Sequence, residues 1–328
     1  MSREALFWIK EDNDIRCHLC PHHCLITEGK AGLCSVRINH NGVLKTENYG
    51  QITAMAVDPI EKKPLYHFMP GTRILSVGSF GCNLFCDFCQ NYEISRSRPG
   101  SEFLPPEQLA ASSNAPANNI GIAFTYNEPA IWYEYVYDSS KKLKAMFPYM
   151  KVVLVTNGYI EPAALDKLLP LVDAMNIDLK SMNQDYYRKV CGGQLKNVLK
   201  TIETVHGRCH VEVTTLLVNG LNDSEEEAGE VASYLSGLDR NIPLHFTRYY
   251  PAYRMNKPAT DIEAVYRARE ATKKYLNYVY IGNVPNADCS SYCHRCGKLL
   301  VQRDSFYAKP LIDDPICPQC GSTVPFIL

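Results

Sequence analysis

The sequence predicts an α/β protein built on a parallel sheet, with one Cys-rich section ahead of the core and another behind it. Two observations carry this expectation. Between about residue 71 and 285, short β-rich runs alternate with longer amphipathic segments, the pattern of parallel strands joined by crossover helices. Of the 14 cysteines in 328 residues, all but Cys191, Cys209 and Cys289 gather in three groups: Cys17, Cys20, Cys24 and Cys34; Cys82, Cys86 and Cys89; Cys293, Cys296, Cys317 and Cys320. The expected organisation is therefore an N-terminal extension over 1–70, a core over 71–285 and a metal-binding tail over 286–328.

Residues 1–70 lack helical periodicity. Their marked feature is Cys17-His18-Leu19-Cys20-Pro21-His22-His23-Cys24, followed by Cys34. Four soft ligands this close suit either zinc or an iron–sulfur cluster, since both accept four thiolates, and the spacing does not choose between them. With four thiols present, His18, His22 and His23 are expected to be bystanders. In the core, strands are expected at 73–80, 120–125, 151–155, 173–180, 209–216, 242–247 and 278–281. Helices are expected at 106–113, 130–146, 161–169, 194–206, 223–237 and 261–276. The tail carries Cys293-His294-Arg295-Cys296-Gly297 and Cys317-Pro318-Gln319-Cys320-Gly321. Two C-x2-C knuckles, each followed by glycine, predict a zinc-ribbon-like site that folds a stretch too short to bury its own core.

Composition narrows the function. With 46% hydrophobic and 21% charged residues, the chain can bury one large core with small appendages. A net charge of −1 with scattered Lys and Arg gives no footprint for nucleic acid or an anionic membrane. The start, Met1-Ser2-Arg3-Glu4-Ala5-Leu6-Phe7-Trp8-Ile9-Lys10, has no apolar signal region. No apolar run is long enough to span a bilayer. The cysteines therefore read as metal ligands in a reducing, cytoplasmic setting.

The central stretch is Gly81-Cys82-Asn83-Leu84-Phe85-Cys86-Asp87-Phe88-Cys89-Gln90-Asn91, directly after the β-like run 73–80. Three thiolates on one short loop can hold three corners of a [4Fe-4S] cube, leaving a fourth iron free to bind something else. Three corners of a zinc site are the competing reading, but structural zinc sites are built from separated two-ligand knuckles. The C-x3-C-x2-C spacing with Phe88 before the last cysteine resembles the signature of radical S-adenosylmethionine (radical SAM) enzymes. The wider chain resembles the branch related to pyruvate formate-lyase activating enzyme. It is most similar to the group called AmmeMemoRadiSam proteins, through 124–129 (Phe-Thr-Tyr-Asn-Glu-Pro), 155–159 (Val-Thr-Asn-Gly-Tyr), 243–248 (Pro-Leu-His-Phe-Thr-Arg) and 281–285 (Ile-Gly-Asn-Val-Pro).

That resemblance implies a partial (β/α)6 barrel, like a portion of a TIM barrel, with ligands at the carboxyl ends of its strands. It implies a [4Fe-4S] cluster on Cys82, Cys86 and Cys89 that binds SAM at its open iron. One electron then cleaves SAM to methionine and a 5′-deoxyadenosyl radical, which removes hydrogen from a substrate. A low-potential electron donor, a flavodoxin or ferredoxin, is implied as partner, and the substrate is a protein or a small molecule. A glycyl-radical enzyme is one such substrate.

Further residues take expected roles within this frame. Asn127 and Glu128 match positions that contact the SAM amine, for which an amide oxygen and a carboxylate are suitable acceptors. Thr156 and Asn157 can bond ribose hydroxyls or the methionyl carboxylate. Val155 departs from the activating enzymes, whose Asp helps bind a monovalent cation. Asn176, Asp178 and Lys180 alternate along one strand face, so Asp178 and Lys180 are expected in the barrel interior touching SAM or substrate. His245 and Arg248 are expected near the same ligands, and Phe88 near adenine. A reading from another class, a non-catalytic zinc protein, predicts colourless protein without iron and leaves the strand-end motifs unexplained.

Overall fold

Seven parallel strands run through the molecule in chain order, bounded on one side by an antiparallel edge strand. The computed structural model describes residues 2–328. The edge strand β1 is Ala54–Pro59, followed by β2 Arg73–Gly78, β3 Asn119–Phe124, β4 Lys151–Thr156, β5 Ala174–Asp178, β6 His210–Leu217, β7 Leu244–Arg248 and β8 Val279–Gly282. Helices α1 Tyr92–Arg96 and α2 Pro106–Ser113 follow β2, and α3 Tyr133–Met146 follows β3. Then come α4 Pro162–Leu168, α5 Leu195–Val205, α6 Glu225–Leu238 and α7 Ile262–Thr272. Each of β2 to β7 is thus followed by helix before the next strand, giving six β/α units and a final strand. The sheet is open, with β1 at one edge and β8 at the other.

The local reasons are plain in the residues. Lys151-Val152-Val153-Leu154-Val155-Thr156 is β-branched and almost wholly buried, as a strand covered on both faces must be. Helix α5 buries Leu195, Val198, Thr201, Ile202 and Val205, one stripe at helical spacing. Helix α6 starts at Ser224, whose hydroxyl accepts from the Glu227 amide, and three glutamates fill its first turn where the helix dipole favours them.

The chain enters the sheet before residue 71, because β1 pairs with β2 along its whole length. Ahead of it lie two small three-stranded antiparallel sheets, one of Arg3–Glu4, Val43–Thr46 and Arg37–His40, the other of Trp8–Glu11, Asp14–Cys17 and Leu25–Ile26. They are pinned to the core by the fully buried ion pair of Arg37 with Glu134 of α3. Among the described residues, no helix is long and apolar enough to cross a membrane.

The segment 60–72 plugs the amino ends of the strands, placing Ile60, Leu65 and Phe68 against Ile74, Ala123, Val153 and Ala174. Above this plug sits a buried polar cluster centred on Glu212 of β6. Its carboxylate accepts from the His67 amide at 2.7 Å and meets His210 Nε2 at 2.9 Å and His245 Nε2 at 2.7 Å. Burial pulls the Glu212 carboxyl up, but hydrogen bonds from His210 and His245 hold it well below its ordinary 4.5. His67 is kept neutral by burial, its pKa lowered to about 3. Its Nδ1 donates to the Pro325 carbonyl at 3.1 Å, so Nε2 accepts from the Tyr280 hydroxyl at 2.6 Å.

This cluster also seats the tail. Its strands are Ser291–Tyr292, Leu299–Asp304 and Tyr307–Pro310. Buried Arg303 donates from Nη1 to the Ser291 hydroxyl at 2.6 Å and from Nη2 to the Tyr66 carbonyl, and the Phe326 ring stacks on His67 at 4.0 Å.

Because the Glu212 pKa is depressed, its stabilisation is complete above pH 4.5 and is lost as pH falls below that value. Glu212→Gln leaves buried imidazoles with a weaker partner and should cost about 3 kcal/mol near neutral pH. Denaturant unfolding of the two proteins at pH 7 gives that difference, and it should narrow when measured below pH 4.5. An equal loss at both pH values would show that ionisation of the glutamate is not what stabilises the cluster.

Candidate active site

A cavity of about 570 Å³ opens at the carboxyl ends of the strands. Cys82, Cys86 and Cys89 line it together with Phe88, Asn127, Glu128, Val155, Thr156, Asn157, Asp178 and Lys180. The sequence-predicted residues from four different strand ends therefore converge on one space.

The cysteine loop leaves β2 through Gly81, at φ +89°, where a Cβ would stand 2.6 Å from Val36 Cγ1 and 2.9 Å from the Cys34 carbonyl. Only glycine lets the chain pass that close. Three side chains then hold the loop. Asn127 accepts from the Ser79 amide and donates to the Gly81 carbonyl, both at 3.0 Å. Asn83 is fully buried and donates to the Tyr159 carbonyl at 2.7 Å. Arg96 donates to the carbonyls of Cys82, at 2.9 Å, and Leu84. Arg96 and Asn83 escaped the sequence reading, although both lie within 14 residues of the cysteines. Neither residue type is diagnostic without the loop's path.

Glu128 is buried and begins the turn at Pro129. Its carboxylate accepts from the Thr156 hydroxyl at 2.6 Å and from the amides of Ala130 and Asn157, each at 2.8 Å. Burial nevertheless pushes its carboxyl up to about 7 against those three donors. Asn157 donates to Asn83 Oδ1 at 3.0 Å and approaches Cys82 Sγ at 3.6 Å. Thr156, Asn157 and Asn127 thus spend most of their hydrogen bonds on the loops themselves while facing the cavity.

Lys180 Nζ lies 2.9 Å from Asp178 Oδ2 and 5.7 Å from the centre of the Phe88 ring. Burial pulls the ammonium down, yet the Asp178 carboxylate and the nearby Cys86 and Cys191 thiols leave it well above its ordinary value. Asp58, Lys62, Lys63 and Tyr126 also line the cavity and were not anticipated. Asp58 pairs with Lys63 at 2.8 Å and accepts from the Tyr126 hydroxyl at 2.9 Å. They belong to β1, the segment after it and the end of β3, which no local pattern brings together.

Two expectations are corrected. His245 does not line the cavity: it lies deeper in the sheet against Glu212, because a residue's parity on a strand gives its face but not its depth. Arg248 donates to the Thr260 carbonyl at 2.7 Å and to the Tyr250 hydroxyl, also outside the cavity.

The thiols fit a metal cluster better than free cysteines. Burial pushes the Cys82 thiol up to about 12, so a cation is what would make it a thiolate. Cys191, fully buried, hydrogen-bonds the Cys86 thiol, which with burial holds Cys86 well above its ordinary value. Cys191 does not line the cavity, whereas Asn127, Glu128 and Thr156 line it together with the triad. In the tail, Cys293 and Cys320 Sγ are 3.7 Å apart, Cys296 and Cys317 Sγ 3.6 Å, and all four lie within 4.8 Å of one another.

A three-cysteine site at the carboxyl ends of a parallel sheet, open to a polar cavity, defines a metalloenzyme of the cluster-bearing kind. The family description "Radical SAM superfamily" matches residues 76–235. An uncharacterised protein of Methanocaldococcus jannaschii is 43% identical over 343 residues, covering 99% of this chain and 100% of its own. A probable GTP 3′,8-cyclase of Methanosarcina mazei is 26% identical over 80% of this chain and 81% of its own. A solved radical SAM methyltransferase from Sphaerobacter thermophilus superposes with a TM-score of 0.52 at 18% identity, covering 71% of each chain. The chain belongs to the radical SAM superfamily, and membership implies a [4Fe-4S] cluster and SAM.

Replacing Cys191 by Ala should leave the iron content and iron–sulfur absorbance of anaerobically reconstituted protein unchanged, because this thiol stands outside the cavity. Loss of about four irons per chain in that variant would make Cys191 a ligand and close the site.

Proposed function

We propose that Cys82, Cys86 and Cys89 hold the [4Fe-4S] cluster and that the cavity they line binds SAM. The observation carrying this is the convergence of the three thiols with the polar strand ends of β3, β4 and β5 in one space, which Cys191 does not line. When bound, the reduced cluster and SAM supply a 5′-deoxyadenosyl radical that abstracts hydrogen from the substrate. The chain's own residues position and shield. Glu128 and Asn127 offer oxygen acceptors toward the methionyl amine, Thr156 and Asn157 hold the facing loop, and Phe88 packs at the adenine end. Asp178 and Lys180 present one charge of each sign to ligand hydroxyls or carboxylate.

A protein segment or other extended molecule is the substrate class that fits. A second cavity of about 780 Å³ adjoins the first through Gln90 and Asn283 and is lined by 281–289 and 303–306. A backbone glycine on such a segment, as in activation of a glycyl-radical enzyme, would be admitted. Val155, where activating-enzyme relatives carry a cation-binding Asp, favours a different target, in keeping with the AmmeMemoRadiSam group. The tail thiols suit one zinc ion, whose bonds of about 2.3 Å set tetrahedral sulfur separations near 3.8 Å. A low-potential donor such as flavodoxin or ferredoxin would supply the electron.

Anaerobic protein incubated with dithionite and SAM should release 5′-deoxyadenosine, and Cys86→Ala should abolish that release. Wild-type rates in a Cys86→Ala protein, or colourless wild-type protein holding zinc without iron, would overturn the assignment.

A further inference from the structure

The three cysteine groups fall into two classes of spacing. Among the described residues, the tail set is the one group in which three or more candidate ligand atoms all lie within 4.8 Å of one another. That is the separation a single tetrahedral ion needs. The central triad does not meet that criterion, and thiolates on separate corners of a cube need not. Cys17, Cys20, Cys24 and Cys34 share this second property: they ring a single enclosure with Leu19, Ile26 and Ile131, yet no three of their sulfurs meet the closer criterion.

From this we infer that Cys17, Cys20, Cys24 and Cys34 hold a second [4Fe-4S] cluster, each thiolate on a different iron. The surroundings are those of such a cluster. Cys17, Cys20 and Cys34 are buried, and the enclosure is walled chiefly by apolar groups. The sulfurs receive N–H donors, from Arg37 Nη1 to Cys17 at 3.4 Å and from the Leu33 amide to Cys24 at 3.5 Å. Hydrogen bonds to cluster sulfur are one of the protein's levers on reduction potential. Arg37 is fully buried with its Nε unpartnered, and its cation faces the place where an anionic cluster would sit. Two of the imidazoles are engaged elsewhere, His22 Nε2 on the Asn83 carbonyl at 2.7 Å and His23 Nε2 on the Glu161 carboxylate at 2.9 Å, and His18, whose buried Nε2 has no partner, does not line the enclosure.

The second site abuts the first. The Cys34 carbonyl lies against Gly81, and the His22 bond ends on Asn83, the residues on either side of Cys82. An electron from a low-potential one-electron donor therefore has a short covalent and hydrogen-bonded route from the N-terminal cluster to the catalytic one, with no proton transferred. The inference uses the central triad as its measure of cluster spacing and to that extent rests on the proposed function.

Metal analysis of the anaerobically reconstituted full-length protein tests it. Wild type should hold about eight irons and about eight sulfides per chain, with about one zinc. The variant Cys82→Ala/Cys86→Ala/Cys89→Ala should keep about four irons and the electron paramagnetic resonance signal of a reduced four-iron cluster. Cys20→Ala/Cys24→Ala should lose about four. Wild-type protein with about four irons, all retained in Cys20→Ala/Cys24→Ala, overturns the inference whether its N-terminal thiols carry zinc or nothing. If the only iron found persists in the triple variant and vanishes in Cys20→Ala/Cys24→Ala, the N-terminal cluster stands and the central assignment falls.

Discussion

The buried carboxylate of Glu128 is the interaction on which the site depends. It draws the Thr156 hydroxyl and the amides of Asn157 and Ala130 onto two oxygens, so the ends of β3 and β4 cannot part. With the Asn157 amide fixed, its side chain reaches Asn83 and Cys82, and the cysteine loop inherits the position of the sheet. A buried anion is costly unless its lone pairs are satisfied, and here the same donors that offset the cost set the geometry. The strain is visible next door: Tyr126, beside Asn127, has a left-handed φ of +71° held by Asn91 and Asp58.

What the sequence made legible follows the range of the forces involved. Parallel strands buried on both faces announce themselves as continuous β-branched runs, and all seven stand within two residues of where the pattern puts them. The cysteine triad is equally local, and its spacing already favours a cluster over a zinc site. Edge strand β1 was hidden because its pairing with β2 spans the plug segment, and Ala-Met-Ala-Val-Asp-Pro has no distinctive alternation. His245 was misplaced for a related reason, since depth along a strand depends on register with Glu212 in its neighbour. Asp58 and Lys63 enter the cavity only because that plug folds back beneath the sheet.

The N-terminal unit looks separate in composition but is bound to the core by charge. Arg37 pairs with Glu134 of α3 and also donates to the Leu6 carbonyl and the Cys17 sulfur. Removing a fully buried cation from water is repaid only by several partners together. Its three partners come from α3, the first residues of the chain and the cysteine set. One side chain therefore couples the folding of the extension to both the core and the state of its thiols.

Among the ion pairs of the cavity wall are Asp178 with Lys180 and Asp58 with Lys63. Apolar residues of the same volume would pack these positions at lower cost, because desolvating an ion pair consumes most of what its attraction returns. Asp178 is the least buried of the four carboxylate and ammonium groups, at 38% exposure, so one of its faces is open to whatever fills the space. Lys63 is almost sealed, at 3%, its ammonium shared between Asp58 and the Tyr126 ring. The two pairs thus differ in kind: one is locked into the scaffold, and the other keeps an unsatisfied side that a polar ligand beside the cysteines would complete.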